Sequence, residues 1–321
     1  MPITKSLSTA ISDGVGNYSF RNRIINGGFD VWQRGTSGFT TNASYTADRW
    51  WFVNDNVGAS SVSRVDISSL GIGANYCLRA ERTSGTNRWV VGTQLETLTL
   101  NQLKGQTVTL SVKIRKGSAL TSDIIVAFGT SSTEAKFGSV VNDGAFTVLN
   151  SSLNTSTFTT FTGTLTIPAG TAALGIKVEF SASQAGASNA YFDVTDVQLE
   201  AGTAATPFER RPYGTELALC QRYYELLGPG GVGSSTTTLS SQNIAWSFKV
   251  PKRSTPTVTH LANYTLIVTG QATYTASATA IGQISTNGLT ALVTIGSTPS
   301  GTGLAMCYYS NTENVAISSE L

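Results

Sequence analysis

The chain has 321 residues, of which only 12% are charged, and a formal net charge of +2 from 21 basic and 19 acidic side chains. That balance, with no Lys/Arg run longer than two, argues against a nucleic-acid-binding face and against an acidic disordered chain. Three widely spaced cysteines, Cys77, Cys220 and Cys307, give neither a disulfide scaffold nor metal-ligand spacing.

The length accommodates two domains. Gly is abundant, at 32 residues, and Ser and Thr crowd every segment, which favours short strands joined by turns. Residues 1–22 read as a polar arm around the turn cluster Asp13-Gly14-Val15-Gly16-Asn17, either a docking segment or a loosely ordered terminus. The arm lacks the basic-then-apolar pattern of an export leader. The longest aliphatic stretch, Ile124 to Phe128, is too short to cross a bilayer.

Strands begin at Arg23. Val108, Leu110, Val112 and Ile114 alternate with polar residues, as do Phe161, Gly163, Leu165 and Ile167, and then Ile176, Val178 and Phe180. Each predicts a strand with one wet face. Asn142-Asp143-Gly144 reads as a hairpin turn. In Tyr191 to Glu200 the apolar phase changes between Phe192/Val194 and Val197/Leu199, which predicts a bulge near Thr195-Asp196.

One segment reads as a helix, Thr215 to Leu227. Leu217, Cys220, Tyr224 and Leu227 recur at helical spacing, a stripe that suits packing on the chain's own sheets or a short self-association seam. Gly228 to Ser241 reads as a flexible connection, followed by further strands that include Ala245 to Val250, Tyr264 to Thr269 and Ala291 to Ile295. The expected class is all-β: a jelly-roll β-sandwich, a short helix, and a second, smaller β-rich domain. Its divisions are an arm (1–22), a sandwich (23–206), a connector with the helix (207–229) and a C-terminal domain (230–321).

The chemistry of catalysis is sparse. The only histidine, His260, sits in a Thr-rich strand, and no G-x-S-x-G turn or H-E-x-x-H pair occurs. Gly228 to Gly233 matches G-x-G-x-x-G by letter, but it follows a helix rather than a strand, so it is read as a linker. Asp193, Asp196 and Glu200 form the densest acidic group of the sandwich. They suit turn capping or ion binding, and nothing marks one as an acid and another as its partner. No catalytic residue and no required cofactor is assigned.

Aromatic residues are the better lead. Trp50 and Trp51 are adjacent, so in a strand they point to opposite faces, one into the core and one outward. An outward Trp51, with Tyr45, Trp89 and a polar rim of Asn87, Arg88 and Gln94, is the candidate glycan-stacking set. Burial of these rings by the core and a neighbouring loop or subunit is the competing reading.

Several blocks carry a family likeness: Asn22 to Gly35, Tyr45 to Trp51, Tyr191 to Gly202, Thr206 to Pro212, Cys220 to Glu225, and Phe248 to Thr257 with Pro251-Lys252-Arg253. Together they resemble tail-fibre proteins of tailed phages and prophages, over most of residues 22–257. The first domain also resembles galactose-binding-like and carbohydrate-binding jelly rolls. The resemblance implies a virion protein at the tail or capsid surface, assembled in the bacterial cytoplasm, trimeric, and attached to other virion proteins by its arm. It implies binding of host surface polysaccharide without catalysis, and in such jelly rolls often a structural calcium ion. The near-neutral charge and the lack of a long apolar stretch argue in turn against a nucleic-acid partner and against membrane insertion. A decoration, head-fibre or tail-adaptor subunit is the alternative. A polysaccharide-degrading tailspike is disfavoured, because no short repeat of a long β-helix is visible.

Overall fold

The computed structural model describes residues 20–54, 59–86, 88–132, 144–227, 231–235, 241–260, 264–268, 273–295, 303–309 and 315–320. It divides into two compact units, residues 1–212 and 213–320. Most of the arm and the Asn142-Asp143 turn pair lie outside the described residues.

The first unit is a sandwich of two antiparallel sheets. One has six strands, in the order β1 (Ser44–Tyr45), β2 (Trp51–Asn54), β5 (Arg88–Leu95), β10 (Gly175–Ser183), β7 (Ile124–Ser131) and β8 (Gly144–Val148). The other has five: β3 (Ser60–Asp66), β4 (Tyr76–Arg82), β11 (Tyr191–Ala201), β6 (Thr107–Lys116) and β9 (Thr159–Thr166). A short helix, α1 (Thr97–Leu103), joins β5 to β6.

The alternating sequences decide what lies between the sheets. Val108, Leu110, Val112 and Ile114 of β6 face Ile176, Val178 and Phe180 of β10 within one buried core. Each such side chain contributes about 1.5–3 kcal/mol by leaving water. The expected bulge in β11 is present: its register against β6 shifts between Thr195 and Gln198, and Asp196 adopts φ 50°. The extra residue lets both Val194 and Val197 enter the core.

The opening block packs on that bulge. Val197 N–H donates to the Gly27 carbonyl at 2.9 Å, and a Cβ on Gly27 would lie 2.1 Å from the Val197 oxygen, so only glycine fits there. The Asn26 side chain bonds the backbone of Val31 and Asp48, while the Trp50 indole N–H donates to the Asn26 carbonyl.

The segment after β11 folds back over the sandwich. Gln198 donates to the Glu200 carboxylate at 2.8 Å, Glu200 accepts from Thr206, and Glu209 N–H donates to Gln198 at 2.8 Å. The Glu209 carboxylate accepts the backbone N–H groups of Phe20 and Asn22 at 2.7 and 2.8 Å, and Arg211 donates to the carbonyls of Asn22 and Ile24. The ends of the first unit are thus fastened to each other by charge-assisted bonds.

The second unit begins with α2 (Tyr213–Gln221) and β12 (Tyr224–Leu227). β12 pairs with β20 (Val315–Ser318), which also pairs with β15 (Thr257–His260) to complete a three-stranded sheet. The remaining strands close a barrel in the order β13 (Gly231–Ser235), β14 (Ser241–Ser247), β18 (Gly288–Ile295), β17 (Thr273–Ile284), β16 (Tyr264–Val268) and β19 (Gly303–Tyr309).

Three expectations differ from this arrangement. The helix ends at Gln221, so the stripe of Leu217, Cys220, Tyr224 and Leu227 is split between a helix and a strand. Tyr224 to Leu227 are all buried, and pairing with β20 outweighs helix continuation. The stripe is therefore no helical seam. Residues 231–235, expected within a flexible connection, form barrel strand β13, paired on both sides. A Cβ on Gly233 would meet the Asn243 carbonyl oxygen at 1.9 Å, so the glycine serves close strand approach rather than flexibility. The second unit consequently starts at Tyr213 and takes in the expected connector helix.

A buried ion pair holds the start of this unit. Lys252 and Glu225 side chains are fully buried, and the Lys252 ammonium donates to the Glu225 carboxylate and the Gln221 carbonyl, each at 2.5 Å. Glu225 also accepts Lys249 N–H at 3.1 Å, and Arg253 N–H donates to the Arg222 carbonyl at 3.0 Å.

Candidate glycan-binding face

The outer face of the six-stranded sheet carries most of the aromatic and polar residues singled out in the sequence. Strand register places Tyr45 opposite Trp51, Trp51 opposite Gly92, Gly92 opposite Glu179, Glu179 opposite Ala127, and Ala127 opposite Ala145. One row away, Gln94 pairs with Lys177 and Lys177 with Gly129. A continuous line thus runs from an aromatic edge, past a carboxylate, to small residues.

Glycine at position 92 makes this geometry. A Cβ there would lie 2.4 Å from Cζ2 of Trp51, so the indole lies across the space a side chain would fill. The Lys177 ammonium lies 5.8 Å from the Trp51 ring centroid and 3.9 Å from a Glu179 carboxylate oxygen. Burial pushes the Lys177 ammonium below its usual pKa, and Glu179 opposes that shift. Arg34 lies over the Tyr45 ring at 5.2 Å and is fixed by Asp48 at 3.2 Å. Arg49 donates to the Gln94 carbonyl at 2.6 Å.

The structure corrects the expected stacking set. Trp51 does point away from the core side occupied by Trp50, yet it is only 2% exposed. Trp89 faces inward: it is fully buried, stacks on Phe192 with centroids 6.1 Å apart, and its indole donates to the Ala80 carbonyl. Its odd position in β5 puts it beside Val91 in the core, opposite in phase to Arg88 and Gln94. Gln94 is on the outer face but buried, Arg88 is exposed, Tyr45 is half-buried, and Asn87 lies outside the described residues. The sequence singled out neither Lys177 nor Glu179. Their alternation with Ile176, Val178 and Phe180 marked the outer face, but only cross-strand register brings them beside Trp51 and Gly92.

The acidic group occupies the opposite sheet. Asp193 sits between Arg79 and Arg115 at 2.8 and 2.7 Å, and Asp196 between Lys113 and Arg210 at 2.9 and 2.8 Å. Glu200 is tied to Gln198 and Thr206. These carboxylates already face cations or donors, and among the described residues no cluster of three or more His, Cys, Asp or Glu side chains suits a metal ion. Asp193, Asp196 and Glu200 are therefore engaged in ion pairs and hydrogen bonds rather than forming an open carboxylate set for a cation. No described helix is long and apolar enough to cross a membrane.

The fold and face together define an antiparallel β-sandwich with an aromatic-edged outer sheet, joined in sequence to a barrel-containing unit. No family model matches the chain, and no curated protein matches it. Among solved structures, a cyclase from Fischerella sp. TAU is similar at 16% identity, over 56% of this chain and 96% of that one, with a TM-score of 0.40. The enzymatically active domain of bacteriophage CBA120 tailspike protein 4 is similar at 13% identity, over 57% of this chain and 22% of that one, with a TM-score of 0.38. A CBM4 protein is similar at 18% identity, over 55% of this chain and 98% of that one, with a TM-score of 0.35.

Proposed function

We propose that the chain is a non-catalytic virion subunit of a tailed phage, at a tail fibre or tip, that binds host surface polysaccharide on the outer face of its six-stranded sheet. The observation that carries this reading is the cross-strand line from Tyr45 through Trp51, Gly92 and Glu179 to Ala127 and Ala145. Of its members Tyr45, Glu179 and Ala145 reach the surface, and they give an aromatic ring, a carboxylate and a small residue, the mixture that apolar sugar faces and hydroxyls require. In this reading the subunit is a trimer, its arm docks on other virion proteins, and repeated weak sites supply avidity. It is assembled in the host cytoplasm.

The test is binding of the purified protein to host cells and to a panel of bacterial surface glycans. Tyr45→Ala, Arg88→Ala and Glu179→Ala are the informative variants, because these side chains are exposed or partly so. Loss of about tenfold or more in affinity by at least one folded variant is expected. Equal binding by all three, or no binding to any cell or glycan, overturns the assignment of this face. The closure of Trp51 favours a second reading, in which the face packs on other virion proteins in a decoration or adaptor subunit. Cosedimentation with phage particles lacking the chain, without glycan binding, would select it.

A further inference from the structure

We infer that the second unit carries a separate binding site for a neutral saccharide, at a cleft floored by Trp246 beside the β17–β18 hairpin. The cleft is about 560 Å³, within the range of small-ligand sites. Trp246 of β14 and Leu289 of β18 face each other in register and form its apolar side. Gln283, Ser285, Asn287 and Thr290 supply its polar side.

Two features of this cleft point to a ligand. First, Trp246 packs in the core of this unit yet lines the cleft at 7% exposure, and among the described residues its indole N–H has no hydrogen-bond partner. A buried donor is normally satisfied, and a ligand oxygen entering the cleft is an acceptor that would complete it. Second, the polar groups divide into used and unused. The Ser285 hydroxyl is bonded to the backbone of its own turn, and the Thr290 hydroxyl accepts Gln283 N–H at 2.9 Å. The exposed side-chain amides of Gln283 and Asn287 make no hydrogen bond among the described residues and offer both donors and acceptors.

The chemistry selects the ligand class. The described lining contains no Asp, Glu, Lys, Arg or His, so it offers no counter-charge to a charged ligand. An aromatic and aliphatic wall next to amides matches a sugar ring, which has an apolar CH face and hydroxyls around its edge. The cleft is also fixed in shape. Phe248 N–H donates to the Asn287 carbonyl and Lys252 N–H to the Thr286 carbonyl, which fastens the hairpin turn beside Trp246. Gly288 permits this approach, since a Cβ there would lie 2.5 Å from the Trp246 carbonyl oxygen.

The experiment uses the full chain with nitrogen-15-labelled indoles and follows the Trp246 N–H resonance, assigned with Trp246→Phe. The probes are methyl galactoside, methyl glucoside and N-acetylglucosamine, with glucuronate as the charged counterpart. Saturable movement of that resonance by at least one neutral sugar is expected, with weaker movement by glucuronate. Gln283→Ala combined with Asn287→Ala should weaken the response about tenfold, the value of one or two lost hydrogen bonds. Both residues are exposed, so that loss does not come from unfolding. The inference fails if no neutral sugar moves the resonance, if glucuronate moves it equally, or if the double variant responds like the parent. It also fails if the response disappears in Tyr45→Ala but survives in the double variant, which would assign the sugar to the sandwich face.

Discussion

Replacing Lys252 by Met removes one member of a pair that is closed to water on both sides. Glu225 would lose its counter-charge in a fully buried position, with the Lys249 N–H as its remaining donor among the described residues. Breaking a buried pair in this way costs about 3–5 kcal/mol, because the remaining charge is uncompensated. For a unit of this size each kcal/mol moves the midpoint by about 4–8 °C, so its thermal transition should fall by on the order of 20 °C. Glu225→Leu alone should also destabilise. The double variant should recover part of the loss, since no charge is stranded, though the Lys249 N–H and the Gln221 carbonyl lose their partners. Calorimetry of the full chain reads this directly, with the first unit's transition as an internal reference. A loss under about 1 kcal/mol for Lys252→Met, or additive effects in the cycle, would refute the assignment of this pair as the lock of the second unit.

Three further outcomes are expected. Gly92→Ala should destabilise the sandwich by about 1–3 kcal/mol through overpacking against Trp51, and Trp51→Leu in the same chain should relieve part of it; urea melts that leave Gly92→Ala at parental stability would contradict the geometry. Lys177 is held below its unfolded value of 10.5, so folding favours its neutral form. The cost of burying its charge is fully present below the folded pKa, and stability should rise as pH climbs from there towards 10.5. That rise should flatten in Lys177→Met, and an unchanged alkaline profile would argue against the burial described. Cys77 and Cys220 are buried, and burial first, then Asp193, raises the Cys77 thiol well above its ordinary pKa. Mass spectrometry should find neither residue alkylated at mildly alkaline pH until denaturant is added; labelling at the rate of an open thiol would count against their burial.

The sandwich was legible in the sequence because period-two alternation survives wherever one strand face is buried. The segments around Val108–Ile114 and Ile176–Phe180 became β6 and β10, and the phase change after Val194 became the bulge at Asp196. The split of the helical stripe was not legible. Leu217, Cys220, Tyr224 and Leu227 fit a 3.6-residue period, but the partner that makes Tyr224–Leu227 a strand, Val315–Ser318, lies far along the chain. Residues 231–235 misled for a related reason: glycine marks a flexible linker and a closely approached barrel strand alike, and the partner strands β14 and β19 that tell them apart lie further along the chain. At the candidate face, Tyr45, Arg88 and Gln94 could be named from composition and adjacency. The inward turn of Trp89 and the arrival of Lys177 beside Trp51 depend on strand parity and register, which nearby sequence does not encode.

The fastening of Glu209 and Arg211 onto residues 20–24 has a mechanical consequence. The point where the chain enters the first unit and the point where it leaves are bridged by carboxylate and guanidinium bonds outside both sheets. Tension applied between Phe20 and Pro212 is therefore shared between this bridge and the bonds that tie both segments to β11 at Gln198 and Leu199. The six-stranded sheet makes none of these bonds, so β11 of the other sheet is the strand that meets such a load first.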